Sequence, residues 1–137
     1  SGKHFVDNIL HLAKTTSSIR VVADQVGCPT FSHDLAAAIR ELTAGKAPSG
    51  TYHLVNSGTA TWADLAEATL ALTGSRAVVE RISASAYPTK ARRPMRSILR
   101  NTKRSPLRPW RAALADYLRL RFPELTPTVE MHAREKR

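Results

Sequence analysis

Apolar residues near the start of the chain recur at helical spacing. Phe5, Ile9, Leu10, Leu12 and Ala13 are separated by polar Asp7, Asn8, His11 and Lys14, which predicts a helix over Lys3–Thr15. Ile19-Arg20-Val21-Val22-Ala23 is short and β-branched and reads as a strand. It runs into Asp24-Gln25-Val26-Gly27-Cys28-Pro29-Thr30, whose glycine and proline stop either regular element. Leu35, Ala38, Ile39 and Leu42 then line one face of a helix over Ser32–Ala44, with Thr30 or Ser32 as its cap and Asp34 favourable to its N-terminal dipole. Thr51–Val55 has strand propensity and ends at Asn56-Ser57-Gly58. Thr61-Trp62-Ala63-Asp64 forms a capping-box pattern ahead of a helix that closes at Gly74. Ala77–Ile82 reads as a third strand, and Arg-rich loops extend from it to Pro109. Trp110, Ala113, Leu114, Tyr117 and Leu118, at intervals of three and four, predict the last helix over Trp110–Arg121. Thr126–Arg137 has little to bury and reads as a disordered tail, leaving 1–125 as the structured portion. Strands alternating with helices predict an α/β fold, yet three strands make a narrow sheet that invites a further element beside it.

Composition narrows this picture. The 137 residues are 42% hydrophobic and 23% charged, the balance of an ordinary globular chain with room for one domain. The longest apolar runs, such as Leu35–Ile39, fall far short of the roughly 20 residues that cross a bilayer, so no membrane span is expected. Cys28 is the sole cysteine, which excludes an intramolecular disulfide framework or a cysteine-built zinc site and makes the cytoplasm the default compartment. The net charge of +10 is unevenly placed. Ser1–Tyr87 carries seven basic and seven acidic residues, whereas Pro88–Arg137 carries fourteen and four, so the whole surplus lies in the C-terminal portion.

Candidate chemistry is sparse. His4, His11, His33, His53 and His132 are scattered without ligand spacing, and Cys28 with His33 five residues on is better read as a small packed thiol than as a nucleophile. The chain has no Gly-x-Gly-x-x-Gly turn with which to approach a dinucleotide pyrophosphate, and no Tyr-x-x-x-Lys pair; Tyr87 and Lys90 have the wrong spacing. The best anion site is Tyr87-Pro88-Thr89-Lys90-Ala91-Arg92-Arg93-Pro94, where two guanidiniums flanked by prolines can present rigid forks to phosphate oxygens. The plain alternative is a solvated basic loop. Asp24–Thr30 is a second candidate, a turn able to offer amides to a polar ligand, set against a simple strand-to-helix connection. A small basic nucleic-acid-binding module on the Arg-rich region Lys90–Arg111 is the competing function, although Trp110 is its single interleaved aromatic and no known binding motif accompanies it.

The motifs occur in a telling order. Gly2–Val6, Val21–Thr30, Gly50–Leu54, Ser57–Trp62 and Tyr87–Pro94, followed by Ser97-Ile98-Leu99 and Pro109-Trp110, together resemble the C-terminal half of dTDP-4-dehydrorhamnose reductases. The resemblance implies an α/β chain holding the last strands of an NAD(P)-binding Rossmann-like extended short-chain dehydrogenase and its small substrate-binding region. It implies reduction of dTDP-6-deoxy-L-lyxo-4-hexulose to dTDP-L-rhamnose with NADPH or NADH, for polysaccharide. The glycine-rich loop and the catalytic Tyr-x-x-x-Lys pair would belong to an N-terminal Rossmann portion with no counterpart in this chain. The chain alone would therefore bind no cofactor, hold no catalytic residue and be inactive. Its share would be dTDP-sugar binding through His4, Gln25, Gly27, Pro29, Thr30, Arg92 and Arg93. Within that set, His4 stands where the family usually has Asn, and Arg92 or Arg93 would neutralise the diphosphate or hold the chain nearby. Some family members bridge dimers with Mg²⁺ through glutamates; no matching carboxylate pair is read here, so no bridging metal is expected.

Overall fold

A computed structural model of the chain describes residues 4–87 and 89–126. Its helices are α1 (Phe5–Leu12), α2 (Ser32–Ala44), α3 (Trp62–Leu72) and α4 (Trp110–Arg121), and its strands are β1 (Ser18–Val22), β2 (Val26–Gly27), β3 (Asn56–Ser57), β4 (Ala60–Thr61), β5 (Val78–Ile82) and β6 (Leu107–Pro109). Short 3₁₀ turns follow at Ala84–Ala86 and Pro123–Leu125.

β1 and β5 run parallel in continuous register from Ser18 opposite Val78 to Val22 opposite Ile82. Alternation along β1 buries Ile19 and Val21 and exposes Ser18 and Arg20. The buried face meets Ile9 of α1 and Ala63, Ala66 and Leu70 of α3 in one apolar cluster. On the other face of the ladder Arg20 pairs with Glu80 across the strands at 3.6 Å, while Val78 remains exposed. A second cluster joins Leu10, Ala60 and Ala68 to Trp110, Leu114 and Leu118 of α4. α3 thus has apolar contacts in both clusters. Its alanines make this possible: Ala63 and Ala66 are fully buried, and so short a side chain lets neighbouring elements approach closely. Leu118 is fully buried as well, a burial worth about 1.5–3 kcal/mol. Gly58, at φ +89°, brings its backbone against the Trp110 ring, where an added Cβ would stand 3.0 Å from the ring carbon Cδ1. Glycine alone satisfies both the left-handed backbone and that approach.

The four expected helices are present, α1 two or three residues shorter at its ends than its pattern predicted. The capping box is formed: the Asp64 N–H donates to Thr61 Oγ1 at 3.0 Å and the Thr61 N–H to Asp64 Oδ2 at 2.8 Å. The α/β class also stands, and the first and last predicted strands prove to be parallel neighbours, but three expectations need correction. Thr51–Val55 forms no strand; at its last residue the Asn101 side chain takes the place of a ladder partner, donating to the Val55 carbonyl at 3.3 Å and accepting its N–H at 3.2 Å. The ladder instead begins one residue on, with β3 parallel to β6. The single narrow sheet is replaced by three two-stranded ladders. Neither Thr30 nor Ser32 caps α2: Phe31 occupies the N-cap, and its N–H donates to Asn56 Oδ1 at 2.8 Å. Most of the tail expected from residue 126 on lies outside the described residues; Thr126 itself follows the last 3₁₀ turn.

Candidate functional site

The loop after β1 and the Arg-rich segment, separated by about seventy residues in the chain, lie side by side. β2 pairs with β4 on one side, Val26 opposite Thr61. On the other side Val26 bridges Arg96: its N–H donates to Met95 O at 2.9 Å, and its carbonyl accepts the Ser97 N–H at 2.9 Å. Gly27 lies against the same segment, where a Cβ would stand 3.1 Å from Ser97 Oγ. Cys28 Sγ contacts Leu99 O at 3.6 Å. Upstream, both carboxylate oxygens of Asp24 accept the Ala84 N–H, at 3.0 and 2.9 Å. The loop motif therefore holds the basic motif at both ends, through Ala84 before it and Met95–Ser97 after it. Arg92 and Arg93 fall between these anchors, both exposed, and among the described residues neither is in an ion pair.

The other residues singled out in the sequence distribute around this seam. Gln25, Gly27 and Pro29 are half-buried along it, and Thr30 is exposed at its end. The Thr30 hydroxyl donates to Cys28 O at 3.0 Å and accepts the Asn56 N–H at 3.3 Å, so it braces the loop. Exposed His4 is the N-cap of α1. It adjoins Phe5, whose ring centroid lies 4.8 Å from that of half-exposed Trp62, the residue after β4. Cys28, half-buried, fits the packed-thiol reading.

Behind the loop is a polar hub that the sequence did not reveal. Asn56 is fully buried, and besides accepting from Phe31 it donates through Nδ2 to Asp34 Oδ2 at 2.7 Å and to Arg108 O at 3.0 Å. Arg108 donates to Asp34 through Nε and Nη2 at 2.8 and 2.9 Å and to Asp116 through Nη1. The Arg108 guanidinium beside Asp34 and Asp116 holds both carboxyls below the ordinary carboxylate range. Arg119 is also paired with Asp116, and Arg104 donates to Glu41 at 2.7 Å. An open cavity of about 410 Å³ borders the hub, lined in part by His33, Asp34, Arg108, Asp116 and Arg119. Its cations and carboxylates satisfy one another, so it presents little uncommitted charge to an anion. Among the described residues no three metal-ligating side chains come together. The exposed guanidiniums of Arg92 and Arg93 are a better match to phosphate.

Residues 1–121 match the family model described as the RmlD substrate binding domain. The chain belongs to this family. Among relatives of this substrate-binding domain, a spore coat polysaccharide biosynthesis protein of Bacillus subtilis is 38% identical over 124 residues, 88% of this chain and 43% of that protein. A dTDP-4-dehydrorhamnose reductase of Sinorhizobium fredii is 42% identical over 108 residues, 72% of this chain and 36% of its own. The crystal structure of a Clostridium acetobutylicum dTDP-4-dehydrorhamnose reductase superposes with a TM-score of 0.82 at 34% identity, covering 88% of this chain and 44% of that one. A Bacillus anthracis dTDP-4-dehydrorhamnose reductase, solved in complex with NADP, gives 0.78 at 28% identity, covering 86% and 43%. The fold is thus part of an extended short-chain dehydrogenase, and the chain spans less than half the length of these relatives. None of them lends support to the nucleic-acid alternative.

The described glycines do not fit a dinucleotide pyrophosphate. Gly27 is packed against Ser97, Gly58 against Trp110 and Gly50 against Lys103, Gly45 and Gly74 follow helix ends, and none forms a glycine-rich turn opening a helix. No helix among the described residues is long and apolar enough to cross a membrane.

Proposed function

We propose that this chain provides the substrate-recognition portion of a dTDP-4-dehydrorhamnose reductase, a cytoplasmic NAD(P)H-dependent enzyme of dTDP-L-rhamnose synthesis. The observation that carries this reading is the seam between Asp24–Thr30 and Met95–Leu99, which leaves the adjacent guanidiniums of Arg92 and Arg93 exposed within a segment tethered at both ends. In this reading the two arginines take the substrate diphosphate, since a bidentate charge-assisted contact to phosphate needs a planar fork not already committed to a carboxylate. Gln25, Gly27, Pro29 and Thr30 border the sugar nucleotide, and His4 contributes a hydrogen-bonding ring from the start of α1. The cofactor and the groups that transfer hydride and proton belong to the remaining part of such an enzyme. This chain binds and orients.

Calorimetric titration of the protein with dTDP, thymidine and NADPH tests the reading. The expected result is saturable dTDP binding, stronger than that of thymidine by the contribution of the diphosphate, with no saturable NADPH binding. Equal affinities for dTDP and thymidine would refute the diphosphate assignment. Tight NADPH binding would refute the division of labour.

A further inference from the structure

We propose that Asp24 is a positioning residue that sets where Arg92 and Arg93 stand; this rests on the reading of those arginines as the diphosphate contacts. Asp24 lies two residues beyond β1, half-buried, and both of its oxygens are directed at one backbone N–H, that of Ala84, sixty residues later in the chain. A carboxylate accepting a backbone amide in this way makes a charge-assisted bond, stronger and more directional than a neutral one. Ala84 opens a single 3₁₀ turn, and the basic segment leaves from that turn. The far end of the segment is fixed independently by the backbone pairing of Val26 with Met95 and Ser97. Asp24 and Val26 are two residues apart, so one short stretch of chain fixes both ends of the segment that carries the arginines. Without the Asp24 bond the near end would be held only as far as Ile82, which pairs with Val22 and accepts the Ala23 N–H at 2.8 Å. The 3₁₀ turn from which the segment leaves would lose its tie, and the arginines would sample more positions. Ordering them on the ligand would then cost conformational entropy, which appears as weaker binding. The role is positional, because the carboxylate is committed to Ala84 and bears a charge that repels a diphosphate.

Three variants, Asp24→Ala, Asp24→Asn and Ala84→Pro, test this by melting and by titration with dTDP and thymidine. Ala84→Pro removes the donor and leaves Asp24 in place. Ser83, at φ −79° and ψ 154°, already has the backbone that a following proline requires, and proline is at home in the first position of a helical turn. The expected outcome for Asp24→Ala and Ala84→Pro is cooperative melting, unchanged thymidine affinity and about a tenfold loss of dTDP affinity. Asp24→Asn, whose amide oxygen still accepts the Ala84 N–H, recovers most of that loss. A purely structural role would lower both affinities together, and that result overturns the proposal, as does normal dTDP binding by Ala84→Pro. The double variant Arg92→Ala/Arg93→Ala separates the two levels. If it weakens dTDP binding while Asp24→Ala and Ala84→Pro do not, the positioning role alone falls. If it binds dTDP normally, the diphosphate reading falls and the positioning role with it.

Discussion

Two groups of arginines in the C-terminal portion have opposite environments. Arg108 and Arg104 are tied to α2, the first through Asp34 and the second through Glu41, and Arg108 also holds Asp116 of α4. Arg92 and Arg93 protrude from a tethered segment with no carboxylate partner among the described residues. The contrast separates charge that holds the fold from charge the fold leaves uncommitted, which the proposed function assigns to the substrate. It also redistributes the +10 surplus without reducing it: some of the basic residues after Tyr87 complement acidic residues before it, such as Asp34 and Glu41, so the division at Tyr87 overstates how concentrated the surplus is in the C-terminal portion.

Breaking the contrast at different points has graded consequences. The largest should come from Leu118→Ala, which empties a fully buried site between α4 and its neighbours and is expected to cost about 2–5 kcal/mol in denaturant unfolding. Next is Arg108→Met, which keeps the aliphatic stem but leaves Asp34 without its guanidinium partner; about 1–3 kcal/mol of destabilisation is expected, because a carboxylate loses its charged hydrogen-bond partner. The same variant carries a pH signature. Asp34 and Asp116 have folded-state pKa values held down, with the hydrogen bond from Arg108 the leading cause, so their contribution is present above the ordinary carboxylate value and lost as pH falls through the lowered one. Melting temperature followed downward from pH 6 should fall less steeply for Arg108→Met than for the wild type. Thr61→Ala removes one arm of the capping box and should cost about 1 kcal/mol in the same unfolding experiment. Tyr117 works at the other end of the pH range. Burial, together with its hydrogen bond to Asp7, pushes its hydroxyl up to about 12, so stability should decline between pH 10 and 12 in the wild type and hold better in Tyr117→Phe.

Helices were legible in the sequence because each carries a full apolar face: the spacing of Trp110, Ala113, Leu114 and Leu118 leaves little freedom of assignment. β1 and β5 were legible through their β-branched runs. The two-residue ladders β2, β3 and β4 were not, since a pair of residues has no periodicity, and Val26 is a strand residue only because Thr61 and Arg96 flank it. Thr51–Val55 misled for a related reason. Its propensity is genuine, but propensity cannot reveal that a distant asparagine side chain engages the backbone where a strand would have done so. The same limit applies to the site. The two motifs could be picked out, whereas Asp24 with Ala84 and Asn56 with Asp34 and Arg108 are partnerships made by tertiary folding. An aspartate before a loop and an asparagine after an apolar run carry no mark of either role.

The division between structural and ligand-directed arginines is tested most directly by measuring melting temperature and dTDP affinity side by side in Arg108→Met and in Arg92→Ala/Arg93→Ala. The double variant should melt within about 0.5 kcal/mol of the wild type, as surface changes usually do, while losing roughly 10- to 100-fold in dTDP affinity. Arg108→Met should melt early yet, below its transition, bind dTDP nearly as the wild type does. A double variant that binds dTDP normally, or an Arg108→Met that melts normally and fails to bind, would contradict the account.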